Sequence, residues 1–216
     1  EKYKKADEVG VLLKKFDAIS VRDANSGAIV EQLTEKKPVY NLDPVLTYDY
    51  MNCCDKIPQL RVDEKYLILY AYAGRISNEE ADWIAAYAKK KNLKVYAIGG
   101  IQKCADRFVD CSPFEVLAYF RNAEEVITDT FHGSIFSVIT HRPFTTLIRK
   151  SVGNSYGNEE KLSDLLERLD LADRMTAKVE DAENINEETI DYAKVDELLK
   201  AHREVAKEYL RSNLEG

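Results

Sequence analysis

No apolar run in this 216-residue chain approaches the roughly 20 residues that a membrane-spanning helix needs, and no signal peptide opens it. No stripe of basic residues interleaved with aromatics appears, and the formal net charge is −7, so a nucleic-acid partner is not expected. Cysteine is sparse. Cys53, Cys54, Cys104 and Cys111 form neither a dense disulfide framework nor the paired CxxC spacing of a zinc site, which leads us to expect reduced thiols. The vicinal pair Cys53-Cys54 beside Asp55 admits a metal or redox reading, but a loop or packing pair is the commoner use of such neighbours. Neither a GxGxxG nor a P-loop pattern occurs, so no dinucleotide site is claimed. Internal repeats and low-complexity segments are absent as well. These absences point to a soluble cytoplasmic chain without a membrane span or a metal.

What is present is a chain 45% apolar, long enough for one sizeable core or a domain and a half. Strand and helix patterns alternate along it. Residues 4–15 suit a short amphipathic helix, 16–21 a strand, and Asp23 or Ser26 can cap the helix that places Ala28, Ile29 and Leu33 against a core. Val39 begins a short strand that ends at Asp43-Pro44. Residues 48–62, with Pro58 and the adjacent cysteines, have no clean period and read as a linker. Residues 66–72 (YLILYAY) form a near-continuous apolar run, as a strand buried on both faces of a parallel sheet requires. A helix over 79–91 capped by Asn78, a strand over 93–98 closed by Gly99-Gly100, and a helix opened by Ser112-Pro113 follow. Gly99-Gly100 can admit a phosphate or a ribose to the backbone, or can end the strand for conformational reasons alone. Helices over 161–171 and 186–210, the second capped by Asn186, complete the pattern; His202 and His141 read as packing or helix-terminal residues. We expect a leading α/β segment over 1–50 and a Rossmann-like α/β domain over 51–216, its parallel sheet flanked by helices.

The most informative stretch is residues 124–150. A strand over 125–130, a helix over 134–140 and a second strand over 143–148 leave Phe131-His132-Gly133 in the turn between the first two. In an open α/β sheet, such a turn lies at the carboxyl end of a strand, where ligands bind, and the next helix offers unpaired N–H groups to an anion. Gly133 would let the backbone approach a ligand, Ser134 would cap the helix, and His132 would stand beside the anion as proton donor or cationic clamp. Asp129 would orient the imidazole or cap a nearby loop. Arg22 falls at the end of an earlier strand, placed either to bind carboxylate or phosphate or to pair with Asp23 or another acid. Asp43 is presented from an extended or turn conformation by Pro44, to orient a hydroxyl or an arginine, or to cap the turn. Arg149 and Lys150 lend positive charge to the same crevice or are merely solvated, and the polar loop 151–158 around Tyr156 suits a lid.

Three stretches in order, Ile19 to Asp23 followed by Ser26, Asp43 to Leu46, and TDTFHGSIFSVITHRPF at 128–144, resemble the motifs of the polysaccharide pyruvyl transferase family. The resemblance implies the C-terminal half of a GT-B-type two-domain transferase. It implies transfer of an enolpyruvyl-derived unit from phosphoenolpyruvate to two hydroxyls of a sugar, in exopolysaccharide biosynthesis, with no cofactor beyond that donor. The family's motif arginine maps onto Arg22 and its motif histidine onto His132, while Gly133, Ser134, Arg149 and Lys150 are candidates to hold the donor. Acceptors would be sugars or lipid-linked oligosaccharides met at the inner membrane surface. The family is longer, so we expect the 216 residues to be the C-terminal part of a larger protein whose N-terminal domain shapes the acceptor side. Two rival readings are a GT-B glycosyltransferase using a nucleotide-sugar and a non-catalytic Rossmann-like ligand-binding domain.

Overall fold

The computed structural model describes residues 5–150 and 158–214, so the lid expected over 151–158 lies outside the described residues except for Asn158. The chain divides into two compact units, residues 1–48 with 193–216, and residues 49–192. The last helix therefore groups with the leading segment, which differs from the domain expected over 51–216.

In the first unit, helix α1 (Ala6–Leu13) and helix α2 (Ala24–Thr34) accompany two short parallel strands, β1 (Ser20–Val21) and β2 (Val39–Tyr40), paired Ser20 to Val39 and Val21 to Tyr40. Asp23 begins α2 because its carboxylate accepts from the Ser26 amide at 2.8 Å and from the Ser26 hydroxyl at 3.0 Å. Pro44 sits at the start of helix α3 (Pro44–Thr47), where its missing N–H costs no hydrogen bond, and Asp43 caps that turn by accepting from the Val45 amide at 3.0 Å. Beyond the intervening elements named below, helix α10 (Tyr192–Leu214) returns to this unit. Its Arg203 donates to the carbonyls of Leu46 at 2.8 Å and Tyr48 at 3.3 Å, and its inward stripe buries Val195, Leu199 and Ala206. These contacts are why the helix joins the leading segment.

The second unit opens with the short helix α4 (Tyr50–Cys53) and continues β3 (Tyr66–Tyr70), α5 (Asn78–Lys90), β4 (Lys94–Ile98), β5 (Arg107–Phe108), α6 (Pro113–Asn122), β6 (Glu125–Thr128), α7 (Phe131–Ile139), β7 (Phe144–Leu147), α8 (Glu159–Arg168), β8 (Met175–Thr176) and α9 (Ala182–Glu187). All six strands run parallel in the order β5-β4-β3-β6-β7-β8. Counted from β3 as first, that is 3-2-1-4-5-6, the doubly wound order, and it reverses direction between β3 and β6. A Rossmann-like parallel sheet flanked by helices is therefore present.

Alternation along β3 sets the two layers. Leu67, Leu69 and Ala71 share a core with Ile84, Tyr87 and Ala88 of α5, and with Val179 and Ala182. Tyr66 and Tyr70 point to the other face, where the Tyr66 hydroxyl donates to the Tyr119 carbonyl at 2.8 Å and the Tyr70 ring packs 5.9 Å from Phe120 and 6.0 Å from Phe136. Successive residues thus feed opposite layers, the requirement that made 66–72 read as uninterrupted apolar chain.

Some expected boundaries shift for local reasons. Ser77, not Asn78, caps α5, because Ser77 and Glu80 form a reciprocal capping box. Asn186 lies in α9 and accepts from the buried Thr145 hydroxyl at 2.9 Å instead of capping the long helix. His141 takes a positive φ of 54° past the end of α7 and stacks on Tyr192 at 4.4 Å. The four cysteines are free, and burial pushes the Cys111 thiol up to about 11. Among the described residues no helix is long and apolar enough to cross a membrane.

Gly100 shows how tightly the β3 and β4 ends approach. A Cβ there would stand 2.3 Å from the Ala73 amide nitrogen and 2.8 Å from the Tyr72 carbonyl carbon, both backbone atoms with nowhere to retreat. Replacing Gly100 by Ala is expected to lower stability by about 1–3 kcal/mol or more, read from the midpoint of chemical denaturation. An unchanged midpoint would show that the two loops separate freely.

Candidate functional site

The turn that carries His132 is built by two threonines. At the end of β6, Thr128 donates its hydroxyl to the Tyr70 carbonyl of β3 at 2.7 Å, which ties the two strands together where the sheet reverses. The same oxygen accepts the Thr130 amide at 3.0 Å and lies 3.0 Å from the Thr130 hydroxyl. Thr130, extended at φ −114° and ψ 147°, is then the N-cap of α7, and its hydroxyl accepts the Gly133 amide at 2.9 Å. Helix α7 therefore starts three residues earlier than expected, and His132 stands inside its first turn.

This geometry gives Gly133 and Ser134 structural roles in the turn. A Cβ on Gly133 would meet the Thr128 hydroxyl at 2.1 Å and the Thr128 Cβ at 2.7 Å, so this glycine exists for the packing of the turn on Thr128, and its amide is taken by Thr130. Ser134 does not cap the helix. Its side chain is buried and bonds to the Thr146 hydroxyl of β7 at 2.8 Å. Both residues fasten α7 to the sheet.

His132 is half-buried at the carboxyl edge. Its ring lies 5.7 Å from that of Phe131 and 6.0 Å from that of Phe136, and the described residues form no hydrogen bond or ion pair with its imidazole. Asp129 does not orient it. The Asp129 side chain is fully buried, and neither of its oxygens accepts a hydrogen bond from the described residues. Side chains alternate along an extended segment, so Asp129 turns away from the hydroxyls of Thr128 and Thr130 and into a charged cluster. Burial pushes its carboxyl up to about 6, against the pull of the Arg75 and Arg149 guanidiniums and with the push of Glu80.

That cluster is the part of the site with the most unusual electrostatics. Arg149, just past β7, donates Nη1 to Glu80 at 2.6 Å, while its Nε and Nη2 are buried without a hydrogen-bond partner among the described residues. Glu80 is itself held, accepting the Ser77 amide at 2.9 Å in the capping box of α5. Asn158 stitches the two strand ends together: its amide group donates to the Asp129 carbonyl at 2.7 Å and the Leu147 carbonyl at 3.2 Å, and accepts from the Arg149 amide at 2.6 Å. Lys150, by contrast, is mostly exposed with its ammonium 4.0 Å from Glu159, a solvated surface pair rather than a member of the cluster. Gly99-Gly100 offers no cradle either, because the chain's own Ala73 backbone fills the space above Gly100.

Arg22 and Asp43 belong to the first unit. The Arg22 guanidinium donates to Asp43 at 2.5 Å, and the buried Asp43 divides its two oxygens between that arginine and the α3 cap. Asp43 thus both orients an arginine and caps the turn, and Asp23 is occupied by Ser26. Arg75, Glu80 and Asn158 escaped the sequence reading because a lone charge in a loop, a capping acid and a helix-flanking Asn carry no motif. Among the described residues no group of three or more His, Cys, Asp or Glu side chains is arranged to hold a metal ion.

The family model for polysaccharide pyruvyl transferase matches residues 3–151, and no curated protein sequence matches the chain. Among solved structures, the chain is similar to the glycotransferase of kitacinnamycin, at 11% identity and TM-score 0.49, over 86% of this chain and 51% of that one. It is similar to the E. coli heptosyltransferase WaaC with ADP-2-deoxy-2-fluoro heptose, at 15% identity and TM-score 0.35, over 68% and 54%. For the glycosyltransferase SnogD from Streptomyces nogalater the values are 9%, 0.39, 86% and 60%. The chain thus spans between 51% and 60% of the length of these structures.

Two outcomes follow from the turn and the cluster. Thr130→Ala removes the cap of α7 and should cost about 1 kcal/mol in denaturant titration; a variant as stable as the parent would show that Thr128 alone holds the turn. The Asp129 carboxyl titrates higher when folded than the roughly 3.9 of an unfolded aspartate, so its protonated form favours the fold below pH ~4 and that contribution is lost as pH rises through about 6. Asp129→Asn should therefore raise the melting temperature near neutrality and lose that gain in acid. A gain that is the same at both pH values would contradict this electrostatic account.

Proposed function

The chain belongs to the polysaccharide pyruvyl transferase family, and from that premise we propose that it serves the transfer of the enolpyruvyl-derived unit of phosphoenolpyruvate to two hydroxyls of a sugar. The acceptor is a cell-surface polysaccharide or its precursor, free or lipid-linked, and the products are a cyclic pyruvate ketal and phosphate. The observation that carries this reading is the position of His132: on the first turn of α7, at the sheet edge where strand order reverses, with its ring beside Phe131 and Phe136 and no hydrogen bond to its imidazole from the described residues.

The atom balance defines what the site must do. Two hydroxyl protons leave the diol; one ends on the methylene carbon of the donor, which becomes a methyl group, and the other on the departing phosphate. A positioned proton donor and acceptor serves both events, and the His132 imidazole at this edge is the candidate. Its place at the positive end of the α7 dipole also favours an anionic donor beside it. Arg149 supplies a planar cation at the adjoining strand end. Arg22, the motif arginine of the first unit, has its guanidinium steadied by Asp43. The acceptor side belongs to a second domain of a GT-B-type arrangement on a longer polypeptide, working in the cytoplasm at the membrane where lipid-linked precursors are assembled.

His132→Ala tests the reading directly. Phosphate release from phosphoenolpyruvate with a panel of sugar acceptors should fall by about 100-fold or more. Stability should stay within about 0.5 kcal/mol, since no hydrogen bond is lost. A folded variant that keeps full turnover would remove His132 from the chemistry.

A further inference from the structure

The buried cluster at the carboxyl ends of β6 and β7 holds orphaned groups of both kinds. Among the described residues, Arg149 Nε and Nη2 are donors without acceptors, and Asp129 Oδ1 and Oδ2 are acceptors without donors. Leaving such groups unpaired in a protein interior is costly, and buried polar atoms are nearly always satisfied. The arrangement is also pre-oriented. Glu80 grips Nη1 of Arg149 at 2.6 Å and is fixed in turn by the α5 capping box, so the opposite edge of the guanidinium, Nε with Nη2, is the one left to present two parallel N–H groups. The Arg149 side chain is 21% exposed as a whole, although its Nε and Nη2 are themselves buried.

We propose that Arg149 and Asp129 form a subsite for a protonated phosphate group, with Arg149 Nε and Nη2 holding two of its oxygens and Asp129 sharing the proton of its P–O–H. A bare carboxylate satisfies the guanidinium edge but faces Asp129 with like charge. A sugar hydroxyl serves Asp129 but makes no use of a two-pronged donor. A phosphate bearing one proton satisfies both sides. The charged groups that face Asp129 are Arg75 from the β3–α5 loop, Glu80 from α5 and Arg149 after β7. Two cations already stand against two carboxyl groups there, so an arriving phosphate dianion brings a proton with it, taken up by Asp129 or by the phosphate itself. Identifying this phosphate with the one released from phosphoenolpyruvate rests on the function proposed above; the subsite itself does not.

The test is isothermal titration of the full chain with inorganic phosphate, phosphoenolpyruvate and pyruvate, near pH 7.5, in two buffers of different ionisation enthalpy, which counts protons bound. Phosphate and phosphoenolpyruvate should bind with net proton uptake, and pyruvate should show neither comparable affinity nor uptake. Arg149→Lys, which keeps the charge and loses the fork, should weaken phosphate by about tenfold or more. Asp129→Asn should still bind phosphate but with the proton uptake diminished. Neither the wild-type proton count nor Asp129→Asn depends on the Arg149 variant folding. Absence of phosphate binding, binding without proton uptake, uptake unchanged in Asp129→Asn, or unchanged affinity in Arg149→Lys each overturns the proposal. A chain that takes up phosphate with its proton yet never turns over phosphoenolpyruvate keeps the subsite and removes the pyruvyl-transfer reading. Turnover that persists while both variants bind phosphate like the parent removes the subsite alone.

Discussion

Thr128 reaches across the seam between β3 and β6, donating to the Tyr70 carbonyl, while the same oxygen receives the Thr130 amide and touches the Thr130 hydroxyl. At this seam the doubly wound sheet changes direction, the position where the loops leaving two neighbouring strands of such a sheet diverge. Something must hold the strand ends together while the loops diverge. The threonine pair does so, and passes the constraint on to the Gly133 amide and thereby to the start of α7. The position of His132 in the first helical turn and the inward direction of Asp129 are both consequences. An extended segment with hydroxyls at two alternate positions must aim the residue between them the other way.

What lies the other way is expensive to keep. A buried carboxyl without hydrogen bonds, beside Arg149 nitrogens without acceptors among the described residues, is a poor arrangement for stability alone. Most of the surroundings are arranged conventionally: Glu80 closes a capping box, Asn158 bridges two strand ends, and Ser134 and Thr146 satisfy one another. Asp129 and Arg149 each leave two buried atoms unsatisfied by the described residues, side by side at the carboxyl ends of β6 and β7, while single orphaned atoms also occur elsewhere, at Glu125, Arg174 and Asn186. What sets Asp129 and Arg149 apart is that the orphaned acceptors and the orphaned donors carry opposite charge and lie in one cluster, which is what the proposed phosphate would satisfy.

Much of the second unit was legible from pattern. The apolar run beginning at Tyr66 reads as a doubly buried strand because alternate residues feed two layers, and the structure places Leu67 and Leu69 against α5 and Tyr70 against Phe120 and Phe136. Ser112-Pro113 opens α6 with a capping box. The errors came where two residues of similar chemistry competed for one role. Ser134 and Thr130 are both capable caps; Thr130 prevails because Thr128 already holds its amide and hydroxyl, a contact that depends on the neighbouring strand. Gly133 was read as room for a ligand, whereas the Thr128 side chain occupies that room.

By itself the sequence determined the alternation of strands and helices, the parallel sheet, the family motifs and the presence of a histidine in a strand-to-helix turn, because these depend on periodicity and on spacing along the chain. Tertiary structure alone decided which polar residues meet. Arg149 and Glu80 are far apart in sequence and lie 2.6 Å apart in space, and Arg22 and Asp43 come together only through the parallel pairing of β1 with β2. The grouping of α10 with the leading segment is likewise settled by Arg203 and the carbonyls it finds. Hydrogen bonds and ion pairs act over a few ångströms, and distances of that order between remote residues are created by folding rather than written in the chain.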